Sequence, residues 1–361
     1  MQRALFLARR GLGWVEPNPM VGAVVARGRR IIAEGYHRRF GGSHAEIEAL
    51  RRCASASAGA TIYVSLEPCC HTAKTPPCTA ALIEAGISRV VVAMRDPDRR
   101  VAGRGIARLR AAGITVEVGA HAQEARQLNR AYIFHRKEKL PYVVLKWAQT
   151  DDGYWSRGSG RRRWISSPQA RRDVHKMRAR SQAIMVGIGT VIADDPLLTA
   201  RSGGRQPLRV VLDSRLRIPL KCNLVRTAKR YPLLVVTSMR AMETTKRLTL
   251  ERQGVRLLKA PLRNGLISPM PVLKQLAQDG ICTLLVEGGP TLAQSLLRRG
   301  CVNEICVYRT RDNLGDKLAL PRLDIDEIEE KHPMKEYLIV TMGKNTKITA
   351  MLRRTRPLTR A

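Results

Sequence analysis

The feature that most constrains this chain is a set of metal-binding side chains split between two segments of the sequence. His44 and Glu46 stand in the first segment, Cys69 follows an apolar run of strand length, and Cys78 comes nine residues after Cys69. One imidazole and two thiolates form a three-ligand zinc set. Such a set leaves a fourth position open, which is typical of catalytic rather than structural zinc.

The residues around these side chains predict a helix, a strand and a second helix. Ser43 is a predicted N-cap for a helix that starts beside His44. Residues 60–66 form an apolar run that predicts a buried strand. Cys78 follows two prolines and opens a second predicted helix, whose positive N-terminal dipole favours a thiolate.

This combination predicts a chemistry. Glu46 lies two residues from His44, close enough to carry protons between a zinc-bound water, a ring nitrogen and a leaving amine. We therefore expect hydrolytic removal of an amine from a pyrimidine-like ring. Each residue alone is better explained as a buried filler. The ordered set on three successive elements favours the metal site.

Composition limits the class of protein. A length of 361 residues predicts two domains, and 44% hydrophobic with only 4% aromatic residues predicts aliphatic cores. No apolar run approaches the roughly 20 residues of a membrane span. Eight irregularly spaced cysteines argue against a disulfide framework. We expect a cytoplasmic protein that has no membrane partner.

The net charge of +34 raises the question of nucleic acid. A charge of this size binds nucleic acid non-specifically when it is displayed on one face. The basic residues are instead scattered, their densest runs (161–163 and 353–354) are short, and stacking aromatic residues do not interleave with them. We expect phosphorylated ligands and no specific nucleic acid. The open alternatives are a nucleotide or nucleic-acid deaminase with an accessory α/β domain, and a basic RNA-binding protein.

Strand and helix patterns alternate along the whole chain, which predicts an α/β fold. A predicted helix over residues 122–136 leads into a charged segment and Pro141. We place the domain boundary there, giving domains 1–140 and 141–361. In the second domain, residues 287–291 join a predicted strand to a helix through two glycines, a geometry suited to phosphate. Residues 187–192 lack the third glycine of a Rossmann fingerprint.

The cysteine spacing departs from the usual deaminase signature H-x-E…P-C-x-x-C. Residues 68–78, PCCHTAKTPPC, resemble the deaminase domain of the bifunctional riboflavin-biosynthesis deaminase-reductases. Residues 17–25, 101–106, 194–201 and 287–292 are similar to the same family. The resemblance implies a cytidine-deaminase-like three-layer domain followed by a dihydrofolate-reductase-like domain. It also implies a diamino-pyrimidinone ribosyl phosphate as substrate and Zn²⁺ and NADPH as cofactors, and it leaves a homo-oligomer open.

The resemblance also assigns roles to the residues that match the family motifs. In the deaminase domain it implies that the zinc ligands are His44, Cys69 and Cys78 and that the proton carrier is Glu46. It implies that Asn18 contacts the pyrimidine and that Lys74 contacts the ribose phosphate. In the reductase domain the implied NADPH contacts are Ala148, Trp164, Thr190, Asp194, Gly289, Pro290, Thr291 and Leu292. The implied substrate contacts are Arg178, Leu198, Arg201 and Glu287, and Lys146 and Asp194 are the catalytic candidates.

The chain departs from the family pattern at a few positions. Asp98 stands where asparagine is usual, and Asn303 stands where aspartate is usual. Asp151 occupies a usually apolar position, and Arg162 replaces a small polar residue.

Overall fold

The computed structural model describes residues 1–71, 76–156, 165–201, 203–315 and 322–353. The chain divides into two compact units, Met1–Lys139 and Leu140–Ala361. All eight cysteines carry free thiols. Within the described ranges, none of the helices has the length and apolar character needed to cross a bilayer.

The first unit is built on a five-stranded sheet in the order β2-β1-β3-β4-β5. Strand β1 pairs antiparallel with both of its neighbours, and β3, β4 and β5 run parallel. The strands are β1 Gly22–Arg27, β2 Arg30–Tyr36, β3 Thr61–Val64, β4 Arg89–Val92 and β5 Thr115–Val118.

Helices cover both faces of this sheet. The helices are α1 Gln2–Ala8, α2 Ala45–Cys53, α3 Cys78–Glu84, α4 Arg104–Ala111, α5 Ala122–Leu128 and α6 Arg130–Glu138. Successive residues of a strand point to opposite faces. Val24 accordingly packs with Ala4 and Leu7 of α1, whereas Val25 joins the core that includes Ala49 of α2. The predicted three-layer α/β arrangement is therefore confirmed for this unit.

Two details of the first unit differ from the prediction. Helix α2 begins at Ala45, so Ser43 lies two residues before it, and the Ser43 hydroxyl accepts a hydrogen bond from Arg51 instead of capping the helix. The single helix predicted over residues 122–136 is two helices, interrupted at Asn129. The Asn129 side chain bonds both backbone groups of Met20, at 2.8 and 2.9 Å. An amide that competes in this way for backbone partners favours a break in a helix.

The second unit is built on a nine-stranded sheet in the order β10-β9-β8-β7-β13-β6-β14-β16-β15. The strands from β10 to β14 in this order are parallel, and β16 and β15 add an antiparallel edge. The strands are β6 Tyr142–Gln149, β7 Ala183–Gly187, β8 Leu208–Leu212, β9 Leu233–Thr237, β10 Val255–Lys259, β13 Thr283–Val286, β14 Glu304–Thr310, β15 Met334–Met342 and β16 Asn345–Leu352. A small separate hairpin is formed by β11 Leu262–Arg263 and β12 Leu266–Ile267.

The helices of the second unit lie mainly between its parallel strands in sequence. They are α7 Pro168–Arg180, α8 Ile188–Asp194, α9 Asn223–Arg226, α10 Met239–Met242, α11 Lys246–Arg252, α12 Pro269–Gln278, α13 Pro290–Arg298 and α14 Ile325–Lys331. In parallel α/β sheets ligands bind beyond the carboxyl ends of the strands. The loops that follow β6, β7, β8 and β13 are therefore the expected place for a site in this unit.

Candidate active sites

The structure brings the three predicted zinc ligands together. His44 lies immediately before α2, Cys69 lies in the loop after β3, and Cys78 is the first residue of α3. The Nδ1 atom of His44 is 3.1 Å from the Sγ atom of Cys78 and 3.5 Å from that of Cys69. All three ligand atoms lie within 4.8 Å of one another.

This geometry fits a zinc ion. Zinc bonds of about 2.0–2.1 Å to nitrogen and about 2.3 Å to sulfur place tetrahedral ligand atoms about 3.6 Å apart. The loop that carries Cys69 is also anchored to α3, because the Cys78 amide donates to Cys69 Sγ at 3.3 Å and the Thr79 amide donates to the Cys69 carbonyl at 3.1 Å. The ligand set is held by backbone on two elements.

Hydrogen bonds among the three ligand side chains shift the pKa of each of them. A hydrogen bond from Cys78 lowers the pKa of Cys69, and the same bond raises the pKa of Cys78. The hydrogen bond with Cys69 raises the pKa of His44. Glu46 is only 3% exposed, and burial raises the pKa of its carboxyl group. A carboxyl group with a raised pKa suits proton transfer near neutral pH.

Asn18 is tied to this site through His37, a residue that the sequence analysis assigned no role. The Nδ1 atom of His37 is 2.9 Å from the Ser43 carbonyl, and its Nε2 atom is 3.2 Å from the Asn18 amide nitrogen. A carbonyl can only accept, so Nδ1 carries the proton and Nε2 accepts from Asn18. The His37 ring meets the His44 ring edge-on at 5.6 Å between centroids. The signal in the sequence was a histidine seven residues before the ligand His44. Lys74 lies outside the described residues.

In the second unit a cleft of about 1350 Å³ opens at the carboxyl ends of β6, β7, β8 and β13. It collects the predicted reductase residues that the structure describes, which are Lys146, Ala148, Arg178, Thr190, Asp194, Leu198, Arg201, Glu287, Gly289, Pro290, Thr291 and Leu292. Trp164 lies outside the described residues. The cleft therefore unites side chains from four strand ends and their following helices.

A buried group of charges lies in this cleft. Arg178 donates two hydrogen bonds to Glu287, at 2.7 and 2.9 Å, and the Lys146 ammonium lies 3.9 Å from the same carboxylate. Burial lowers the pKa of Lys146, although the charge of Glu287 opposes that effect. The forked face of the Arg178 guanidinium is thus committed to Glu287, and the third nitrogen donates to the Thr199 carbonyl at 3.3 Å.

The two-glycine turn follows β13 as predicted. Gly288 allows a close approach, because a Cβ atom there would lie 2.7 Å from the Leu292 side chain. Helix α13 begins at Pro290, and its first residues line the cleft. His175, which was not predicted from the sequence, also lines the cleft, and its Nδ1 atom lies 3.2 Å from the Thr199 carbonyl oxygen. Its spacing of three residues from Arg178 on one helix was the available signal.

Two family models match the chain. The cytidine and deoxycytidylate deaminase zinc-binding region matches residues 1–94, and the RibD C-terminal domain matches residues 141–324. The two matched regions contain, respectively, the His44, Cys69 and Cys78 cluster and the cleft of the second unit.

Curated relatives agree with both models. The chain is 42% identical to the riboflavin biosynthesis protein RibD of Actinobacillus pleuropneumoniae, over 88% of this chain and 85% of the relative. It is 39% identical to RibD of Aquifex aeolicus, over 96% and 95% of the two chains. The RibD protein of Escherichia coli is 41% identical, over 87% of this chain and 88% of the relative.

Solved structures show the same likeness. RibD of Acinetobacter baumannii superposes with a TM-score of 0.86 at 34% identity, covering 98% of both chains. A Thermotoga maritima protein described as a diaminohydroxyphosphoribosylaminopyrimidine deaminase and 5-amino-6-(5-phosphoribosylamino)uracil reductase superposes with a TM-score of 0.85 at 33% identity. It covers 98% of this chain and 97% of that one.

A three-ligand zinc site with a buried glutamate, joined in one chain to an α/β unit with a charged cleft, defines a two-domain deaminase and reductase. The chain belongs to the RibD family of bifunctional riboflavin-biosynthesis enzymes. It is an enzyme with a zinc-binding deaminase domain and an NADPH-dependent reductase domain. The fold, the function and the two cofactors expected from the sequence are confirmed.

Proposed function

We propose that this chain removes an amine from a diamino-pyrimidinone ribosyl phosphate in its residues 1–140 and reduces the ribosyl group to ribityl in residues 141–361. The single observation that supports the deaminase best is the convergence of His44, Cys69 and Cys78 beside the buried Glu46. That arrangement leaves one zinc position open for a water and supplies a proton carrier next to it.

In the deaminase site the protein side chains bind, orient and move protons. His44, Cys69 and Cys78 hold the zinc, which when bound lowers the pKa of a coordinated water toward neutrality. Glu46 carries one proton from the water to the ring nitrogen, and then carries the proton of the added hydroxyl group to the amine, which leaves as ammonia. Its burial keeps the carboxyl group in contact with the reacting atoms rather than with bulk water.

Asn18 and Lys74 are the proposed substrate contacts of this site. Because the Asn18 amide nitrogen is directed at His37, its carbonyl oxygen is the part left to accept an N–H of the pyrimidine. Lys74 is proposed to bind the ribose phosphate as a point charge. An amide held in one orientation selects a donor on the ring.

In the reductase cleft NADPH supplies the hydride. Its proposed contacts are Ala148, Trp164, Thr190, Asp194 and residues 289–292, with the positive end of the α13 dipole favouring a phosphate. Lys146 is the proposed cation beside the ribose ring oxygen, which leaves as an alkoxide when the anomeric carbon accepts the hydride and the bond between these two atoms breaks. Asp194 is the second polar candidate near the transfer.

The remaining substrate contacts act differently from one another. Leu198 and Arg201 line the cleft directly, and exposed Arg201 is available for a phosphate. Arg178 and Glu287 form a buried pair, so we propose that Glu287 meets the substrate while Arg178 holds the carboxylate in place. Lys146 completes this pair as its second cation.

The assay that tests the function uses the purified full chain and the diamino-pyrimidinone ribosyl phosphate. Ammonia release without NADPH, followed by NADPH oxidation once the cofactor is added, is the expected order. NADPH oxidation with the deaminated compound as sole substrate isolates the second step. Ammonia release from cytidine or single-stranded nucleic acid, with none from the pyrimidinone, would overturn the substrate assignment.

We also propose a cytoplasmic homo-oligomer that binds no specific nucleic acid. Strand β15 is a sheet edge on which Tyr337, Leu338, Ile339 and Val340 are between 41% and 65% exposed. A long apolar edge strand is a template for pairing with another chain. Sedimentation analysis should show an oligomer, and Ile339→Lys should shift it toward monomer. A monomer at all concentrations would contradict this assignment.

A further inference from the structure

Glu67 carries a buried carboxylate that takes no part in the proposed deaminase chemistry. It is 3% exposed and accepts four backbone hydrogen bonds. The Asp96 and Gly103 amides donate to Oε2 at 3.2 and 2.9 Å, and the Gly105 and Ile106 amides donate to Oε1 at 3.0 and 3.2 Å. Each oxygen therefore serves two donors, and hydrogen bonds to a charged acceptor are stronger than neutral ones.

The position of Glu67 connects this carboxylate to the metal site. Glu67 stands two residues before Cys69, and its own amide donates to the Met94 carbonyl at 3.0 Å. Pro68, the residue between Glu67 and Cys69, is in close contact with the segment that Glu67 binds. A Cβ atom on Gly105 of that segment would lie 2.1 Å from the Pro68 carbonyl oxygen. The start of α4 is thus packed on the backbone that leads directly into a zinc ligand.

We propose that Glu67 is a positioning residue that fixes Cys69 for zinc by clamping its loop to the start of α4. The proposal rests on the assignment of Cys69 as a ligand in the proposed function. Cys69 is held from the other side by the amides of Cys78 and Thr79. With Glu67 intact, both flanks of Cys69 are fixed before the metal arrives. Partners of this kind orient metal ligands and tune affinity.

The donor pattern requires a carboxylate at residue 67. A glutamine side chain offers one acceptor oxygen and one NH₂ group. In either orientation the NH₂ group faces two backbone amides that also donate, and these two amides lose their acceptor. Glu67→Gln therefore disturbs the clamp while it preserves the size of the side chain.

The experiment measures zinc affinity in the full chain by competition with a chelator. Glu67→Gln is expected to raise the dissociation constant for zinc about 10- to 100-fold. The matched control is Glu117→Gln, which removes a charge from the same unit at an exposed ion pair with Arg89 and should leave affinity unchanged. NADPH oxidation with deaminated substrate should be equal in all three proteins.

A second variant and a second readout separate positioning from general destabilisation. Glu67→Asp keeps the charge but shortens the side chain, so its zinc affinity should lie between those of wild type and Glu67→Gln. Cobalt in place of zinc reports sulfur ligation through its thiolate charge-transfer band. That band should be weakened in Glu67→Gln even at saturating cobalt, which a merely less stable site would not show.

The outcomes are distinct. The proposal is supported if wild type binds one zinc and folded Glu67→Gln shows weaker zinc affinity and a weaker cobalt charge-transfer band. Wild-type affinity and an unchanged band in Glu67→Gln overturn it, and so does failure of the first unit to fold in both Glu67 variants, which makes Glu67 a folding determinant instead. Absence of zinc from wild type contradicts the proposed function itself.

Discussion

Replacing Glu287 with alanine tests the buried charges of the reductase cleft. Glu287 accepts two hydrogen bonds from Arg178, and Lys146 lies 3.9 Å away. All three side chains are at most 15% exposed. Glu287→Ala therefore leaves two buried cations facing each other without a counter-charge. Breaking a buried ion pair from one side costs about 3–5 kcal/mol of folding free energy.

This loss of folding free energy lowers the melting temperature of the second unit. One kcal/mol moves the melting temperature by about 2–4 °C in units of 150–250 residues, so the transition of the second unit should fall by about 6–20 °C. The control is Glu251→Ala, whose ion pair with Arg247 is about 40% exposed on both sides. An exposed pair of this kind contributes about 0–1 kcal/mol.

The assay combines calorimetry with paired measurements of ammonia release and NADPH oxidation on both variants. Glu287→Ala should lose NADPH oxidation and keep ammonia release, because Glu287 lies in the second unit. A melting decrease no larger than that of Glu251→Ala would refute the buried-pair argument. Loss of ammonia release from the folded variant would contradict two separable sites.

The same pair predicts a pH dependence. Burial raises the pKa of Glu287, but the charge and hydrogen bonds of Arg178 and the charge of Lys146 outweigh it, so the pKa is lowered from its reference of 4.5. A lowered carboxyl pKa contributes stability above the unfolded-state value and loses it as the pH falls through the folded-state value. The stability difference between wild type and Glu287→Gln should be constant at neutral pH and shrink below pH 4.5.

Three further outcomes follow from the two sites. Metal analysis of Cys78→Ala should show loss of the single zinc, whereas Cys70→Ala should retain it; undiminished zinc in Cys78→Ala would exclude that ligand. Glu46→Gln should keep zinc and lose about 10²- to 10⁴-fold in ammonia release, and full turnover would exclude Glu46 as proton carrier. A truncated chain that starts at Leu140 should bind NADPH and reduce deaminated substrate with zinc absent, and a requirement for zinc would count against independent units.

The sequence was sufficient to predict what depends on local patterns. The order of helix, strand and helix around His44, Cys69 and Cys78 follows from apolar runs, prolines and spacing, and the structure has these elements close to the predicted bounds. Five strands of the parallel sheet (β6, β7, β8, β9 and β13) were visible for the same reason, because buried parallel strands are continuous apolar runs. The parallel strands β10 and β14 were not predicted. The antiparallel edge was not predicted, since β15 exposes its apolar residues and lacks an alternating pattern.

What the sequence could not show depends on contacts between distant residues. The break at Asn129 comes from hydrogen bonds to the backbone of Met20, 109 residues away, and the helical pattern of residues 122–136 does not predict it. The pairing of Arg178 with Glu287 also spans 109 residues. Sequence resemblance assigned both side chains to the substrate, but only the structure reveals that the first binds the second.

Two carboxylates that depart from the family pattern are paired with arginines in this chain. Asp98, where asparagine is usual, carries a new negative charge, and Arg100 at 2.7 Å holds the pKa of its carboxyl group below the ordinary value. Asp151 forms an ion pair with Arg309, with 3.0 Å between Oδ1 of Asp151 and Nε of Arg309.

At position 303 the departure is of the opposite kind, because the neutral Asn303 stands where the charged aspartate is usual. Its Oδ1 atom accepts a buried hydrogen bond from the Val143 amide at 2.8 Å, a bond that an aspartate oxygen would also accept. The neutral side chain keeps the acceptor between β6 and the start of β14 and avoids the cost of a buried charge. The two added carboxylates thus have an arginine within reach, and Asn303 supplies the acceptor that the Val143 amide needs. At Glu67 both oxygens accept hydrogen bonds, so we expect the exchange for glutamine to disturb the structure more than the exchange of an aspartate for Asn303 does.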